Sequence, residues 1–130
     1  MADIIKLMQK RPDFYAMKGV SEEEIRMAEQ ALSLRFAADY HKYIAAYGVA
    51  SFAGHELTGI CKSKRLNVID VTIEERNNTL VPTDWYVLEQ ANIDGIVIWQ
   101  ASDGVVYQTV PNTKAKKLCG SLAEYIQIKQ

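Results

Sequence analysis

The sequence predicts an α+β domain, and three observations carry that prediction. Two stretches, Ser21 to Glu24 and Ser121 to Glu124, have the Ser-x-x-Glu spacing of a helix-capping box. Tyr40, Tyr43, Ile44 and Tyr47 recur at i, i+3, i+4 and i+7, which marks one face of another helix. Between these helical signals lie three β-rich runs, DWYVLEQ, GIVIWQ and VVYQTV, separated by ANIDG and ASDG. Each separator ends in an Asp-Gly pair able to supply the positive φ of a tight hairpin, so an antiparallel meander is expected near residues 85–110.

Taken in chain order, the segment after Pro12 reads as a connector. Ser21 then caps a helix over about 22–34, with Glu24 closing the box and Val20 placed to staple onto Ile25. The next helix carries the tyrosine stripe as its buried face, and Gly48 is expected to end it with a left-handed cap. FAGHELTGI follows as a short strand or loop. In LNVIDVTIEERNN the β-branched residues alternate as in a strand, while Thr72 and Glu75 have capping-box spacing; the reading is extended chain into a helix near 73–78. The run at 96–99 is apolar without alternation, so the central strand should be covered on both faces. Last, Ser121 caps a C-terminal helix that buries Leu122, Tyr125 and Ile126. With no internal repeat, low-complexity tract or Pro/Gly/Ser linker, residues 1–130 are expected to form one domain.

Composition narrows the function. The N-terminal stretch carries Asp3 and no apolar run long enough for a signal region, and no segment approaches membrane-spanning length, so a cytoplasmic location is expected. Cys61 and Cys119 are isolated and read as small packed hydrophobes, with neither disulfide nor metal spacing. The net charge of −1 conceals an uneven distribution. Residues 1–65 hold ten Lys/Arg against eight Asp/Glu, residues 66–103 hold one against seven, and residues 104–130 hold four against one. The acidic middle argues against nucleic-acid binding through that part of the chain, because phosphate contacts need clustered Lys and Arg.

Chemistry has few handles here. Asp94 and Asp103 each precede glycine at an expected turn, a placement that backbone geometry explains without a catalytic dyad, and neither lies in a calcium-loop pattern. His55 and Glu56 are adjacent in an extended segment and so point to opposite faces, while His41 lies off the tyrosine face of its helix and is expected in solvent. No nucleophile elbow, phosphate loop or metalloprotease motif occurs, and no catalytic residue, metal or cofactor is expected. Lys114, Lys116 and Lys117 read as a solvated loop. What remains is a negative docking surface for a basic protein, with Asp70, Glu74, Glu75, Asp84 and Glu89 as its charges and Trp85 as an aromatic anchor.

The order of these signals resembles the SUKH superfamily, bacterial immunity proteins related to fungal cell-wall-assembly regulators. The landmarks cover about residues 21–126. EQALSLRFAADYHKYIAAYG is similar to the family's helix, short break and helix ending in glycine, and GHELTGI to its G-x-E-x-x-G-type element. VTIEERN, VPTDWYVLEQ, DGIVIWQASDGVVY and SLAEYI resemble its later segments in the right sequence. The chain departs from the pattern at Arg35-Phe36-Ala37-Ala38, where a Leu-Pro-like pair is usual, and at Tyr47, where Asn often precedes the glycine.

The resemblance implies a bent, mainly antiparallel sheet flanked by helices. It also implies a non-enzymatic immunity role, in which the protein binds a cognate polymorphic toxin, frequently a nuclease, and occludes its active site. An acidic inhibitor surface suits that role, because a nuclease must be basic where it grips phosphate. The alternative reading is a regulatory or scaffold module that binds a cellular protein. A third, a small enzyme using His55, Glu56 and an aspartate, requires those side chains to converge in one pocket.

Overall fold

The structure, a computed structural model, describes residues 3–128; Lys129, counted in the basic C-terminal stretch, lies outside them. The elements run α1 (Ile4–Gln9), β1 (Tyr15–Lys18), α2 (Glu22–Leu32), α3 (Ala38–Ala46), β2 (Tyr47–Phe52), β3 (His55–Glu56), α4 (Val68–Asn78), β4 (Trp85–Gln90), β5 (Val97–Ala101), β6 (Val106–Thr109), β7 (Lys116–Cys119) and α5 (Leu122–Ile128). The first capping box forms in full and the second in half, since the Glu124 carboxylate accepts from the Gly120 N–H (3.4 Å) rather than from that of Ser121. Ser21 Oγ accepts from the Glu24 N–H at 3.1 Å while Glu24 Oε1 accepts from the Ser21 N–H at 3.2 Å, and Ser121 Oγ accepts from the Glu124 N–H at 3.1 Å.

Four local expectations need correction. The connector after Pro12 is in fact β1, paired antiparallel with β2. Gly48 does not cap α3, which ends at Ala46 with Tyr47 already extended (φ −135°, ψ 122°). Gly48 lies instead in β2, where an added Cβ would sit 2.6 Å from the Lys18 carbonyl oxygen, so glycine is needed there for close backbone approach. Lys116 and Lys117 belong to edge strand β7, where exposed lysines discourage pairing with other chains. The fourth correction concerns α4, which begins at Val68 because Asn67 Oδ1 accepts from the N–H groups of Ile69 (2.9 Å) and Asp70 (3.4 Å). Thr72 is therefore mid-helix and fully buried, and its Oγ1 accepts from the Val87 N–H at 3.0 Å.

The antiparallel architecture is present as two sheets, β1-β2-β3 and β4-β5-β6-β7. The Asp-Gly pairs make the turns of the second sheet. Asp94 (φ 54°) and Gly95 (φ 70°) form a tight turn closed by Ile96 N–H to Ile93 C=O at 3.0 Å. Gly104 (φ 100°) takes the left-handed position of the other hairpin, where Asp103 Oδ1 accepts from the Val105 N–H at 3.0 Å. A bulge at Leu88 interrupts the β4–β5 register, and the Leu88 carbonyl turns to accept from the Thr58 N–H at 2.8 Å, joining the two sheets.

As expected for its apolar run, β5 is buried along its whole length. One face of the second sheet meets the larger core, which holds Tyr86, Leu88 and Ile98 with residues of α1, α2, α3 and α5. There Tyr40 packs against Phe36, Tyr43 and Tyr86 at centroid distances of 5.0, 5.5 and 4.9 Å, contacts worth about 0.5–1.5 kcal/mol each beyond burial. Their hydroxyls are satisfied: Tyr43 donates to the Thr58 carbonyl (2.8 Å), Tyr86 to Gln100 Oε1 (2.6 Å), and Tyr40 to Thr58 Oγ1 (2.9 Å), whose own proton goes to the Val87 carbonyl (2.7 Å). Burial pushes all three phenols to higher pKa. The opposite face carries a smaller cluster of Trp85, Val87, Val97, Trp99 and Ala101, against which Val71 of α4 packs.

Candidate partner-binding surface

Helix α4 positions the candidate site. It turns Val68, Val71 and Thr72 inward, and the 3.6-residue repeat then carries Asp70, Ile73, Glu74 and Asn77 outward, all of them exposed. Ile73, 47% exposed, lies between the two carboxylates. Sequence reading missed this residue because the helix was expected to start there; the cap at Asn67 was the signal that could have found it.

No ion pair among the described residues involves Asp70, Glu74, Glu75, Asp84, Asp94 or Asp103. Arg76, the single base within 66–103, is committed elsewhere, donating to the carbonyls of Leu32 (3.3 Å), Thr83 (2.9 Å) and Trp85 (3.4 Å). Burial lowers its pKa, and its role is to tie the end of α2 to the loop before β4. Glu75 is half-buried, with Oε2 accepting from Gln90 Nε2 at 2.6 Å.

The six candidates do not form one patch. Asp70, Glu74 and Glu75 share α4, whereas exposed Asp84 precedes β4 and accepts from the Ser102 N–H at 3.3 Å, at the end of the strand away from Gln90. Two candidates are buried, which corrects their expected place on an exposed surface. Trp85 is 7% exposed and stacks on Tyr107 with centroids 4.1 Å apart. Glu89 is 4% exposed, accepting from Tyr125 Oη at 2.5 Å and sitting 2.9 Å from His55 Nδ1. Strict alternation would have put Glu89 on the α4 side with Trp85 and Val87, but the bulge at Leu88 shifts the phase of the strand and turns it toward α5. Burial and the neighbouring Glu89 carboxylate both raise the Tyr125 pKa.

The three groups of the small-enzyme reading go separate ways. His55 meets Glu89, and Glu56 points the other way into a bidentate pair with Arg65 at 2.7 and 3.0 Å, which holds its carboxyl below the usual range. Asp94 and Asp103 remain at their turns. His41 Nε2 lies 2.7 Å from Glu22 Oε2 rather than free in solvent. Among the described residues no group of three His, Cys, Asp or Glu could hold a metal ion, and no helix is long and apolar enough to cross a membrane.

With this geometry in place, comparison with known families is decisive on kinship. The family model SUKH_5, described as SMI1-KNR4 cell-wall, matches residues 1–128. The chain belongs to the SUKH superfamily. SUKH proteins are generally non-enzymatic immunity or regulatory proteins that bind other proteins. No curated protein matches the chain at a significant level.

Proposed function

We propose that this SUKH chain is a cytoplasmic immunity protein, acting as one domain, that binds and neutralises a cognate toxin by covering its active site. The toxin is a nuclease in this reading. The observation that carries it is the set of exposed carboxylates on α4, Asp70 and Glu74, flanking exposed Ile73 and making no ion pair among the described residues. Such a surface attracts a basic groove at long range and offers an apolar contact at its centre, the arrangement that gives fast encounter and a fixed register. Glu75, on the same helix, adds charge beside them. No chemistry is asked of the inhibitor, since occlusion needs only complementary shape and charge.

The test is co-expression with the toxin encoded beside this gene. Wild-type chain is expected to rescue growth, and the Asp70→Asn/Glu74→Gln variant to rescue poorly while accumulating to the same level. Loss of viability despite abundant wild-type protein would remove the immunity reading and favour a regulatory module for a different protein.

A further inference from the structure

A groove of about 420 Å³ opens where the end of α4 meets the β4–β5 hairpin, with Glu75, Asn78, Thr79, Gln90, Asn92 and Pro111 on its walls. Among the described residues no lysine, arginine or histidine lines it. Its one charge is Glu75, whose Oε2 is engaged by the neutral amide of Gln90, while Oε1 has no partner among the described residues. The helix makes matters more negative. Thr79 N–H closes onto the Glu75 carbonyl, and the carbonyls of Arg76, Asn77 and Asn78 accept no hydrogen bond among the described residues. The negative end of the α4 dipole thus lies beside a carboxylate, and the one base in that turn, Arg76, reaches away to the carbonyls of Leu32, Thr83 and Trp85, so a further cation at the groove is favoured. The wall opposite is closely packed, since Gly95 sits at φ 70° and any Cβ there would approach the Pro111 ring at 2.8 Å.

We propose that this groove receives the guanidinium of an arginine presented by a protein partner. A guanidinium has five donors in a planar fork, suited to one carboxylate oxygen and neighbouring carbonyls together, whereas an ammonium is a compact point charge. Its aliphatic stem has Ile96, Val97 and Pro111 to lie along. A polypeptide source is favoured by the exposed apolar residues next in the chain to its walls: Leu80, fully exposed at 101%, follows Thr79, and Ile93, 60% exposed, follows Asn92. The inference rests on the partner-binding reading for the source of the cation, while the preference for guanidinium stands apart from it.

The test is ¹H–¹⁵N NMR titration of the intact chain with Nα-acetyl-arginine amide, with the citrulline analogue as the neutral isostere. The arginine amide is expected to move the amide peaks of residues 75–79 and 90–97, the citrulline compound to leave them in place. Glu75→Gln is expected to weaken binding about tenfold, the scale of losing a charge-assisted hydrogen bond. Should that variant alter the fold, Asn78→Lys places a competing ammonium at an exposed position on the groove and is expected to weaken binding too. A capped Leu-Arg-Leu tripeptide is expected to bind more tightly than the amide. Equal response to citrulline, shifts centred elsewhere, or undiminished affinity in the variants would overturn the site, and equal affinity for tripeptide and amide would overturn its assignment to a polypeptide. Arginine binding that persists while toxin rescue fails would count against the immunity reading alone.

Discussion

The two faces of the four-stranded sheet are built by different physics. One carries Tyr40, Tyr43, Tyr86 and Tyr125 in a large core, with every one of those hydroxyls hydrogen-bonded and Glu89 enclosed beside His55. The other has a small apolar cluster and a single helix that turns Asp70, Ile73 and Glu74 to water. The contrast separates stability from recognition: buried polar groups on the first face lose heavily when a partner is removed, while exposed carboxylates on the second hold little of the fold in place. Substitutions should therefore sort by face.

The largest effect is expected from Tyr40→Ala, which removes the centre of the aromatic cluster and should cost about 3–5 kcal/mol in urea denaturation. A cost under about 1 kcal/mol would erase the distinction between the faces. Glu89→Ala comes next, at about 1–3 kcal/mol, because it removes from the core the acceptor of the Tyr125 hydroxyl and the partner of His55. Glu89→Gln should cost less, since its amide oxygen still accepts; equal losses would show that the carboxylate's acceptor role is not what the core needs.

These residues also mark what the sequence could and could not disclose. Ser21, Ser121, the tyrosine stripe and the two Asp-Gly pairs are local signals with local outcomes, and the helices and hairpins they predict are present. The surface was harder. Which face Glu89 takes depends on a bulge one residue earlier, where the Leu88 carbonyl accepts from Thr58, thirty residues upstream. Trp85 was eligible as an anchor until Tyr107, two strands away, stacked on it. The α4 face was misplaced for a nearer reason, since β-branched Val68, Ile69, Val71 and Thr72 imitate a strand and outweighed Asn67 as a cap.

The smallest effect belongs to the exposed Glu56–Arg65 pair. Hydrogen bonding from Arg65 lowers the Glu56 pKa, so its contribution is present above the ordinary carboxylate range and disappears as pH falls through the lowered value. Comparing thermal midpoints at neutral and acid pH should show Glu56→Gln slightly less stable than wild type at neutral pH and equal to it in acid. A difference that grows in acid would reverse the sign and place the pair outside this account.

The most direct measurement is the dissociation constant of the purified chain with the neighbouring toxin, by calorimetry, for wild type and for Asp70→Asn/Glu74→Gln. Neutral replacements are used because lysine in the first turn of α4 would oppose the helix dipole. Affinity is expected to fall about tenfold or more while stability falls only by the loss of the Asp70 charge at the α4 N-terminus, about 0.3–1 kcal/mol, and the wild-type interaction to weaken with added salt. Unaltered affinity in a folded double variant would place the interface elsewhere and contradict the claim that the outward face of α4 is where this protein acts.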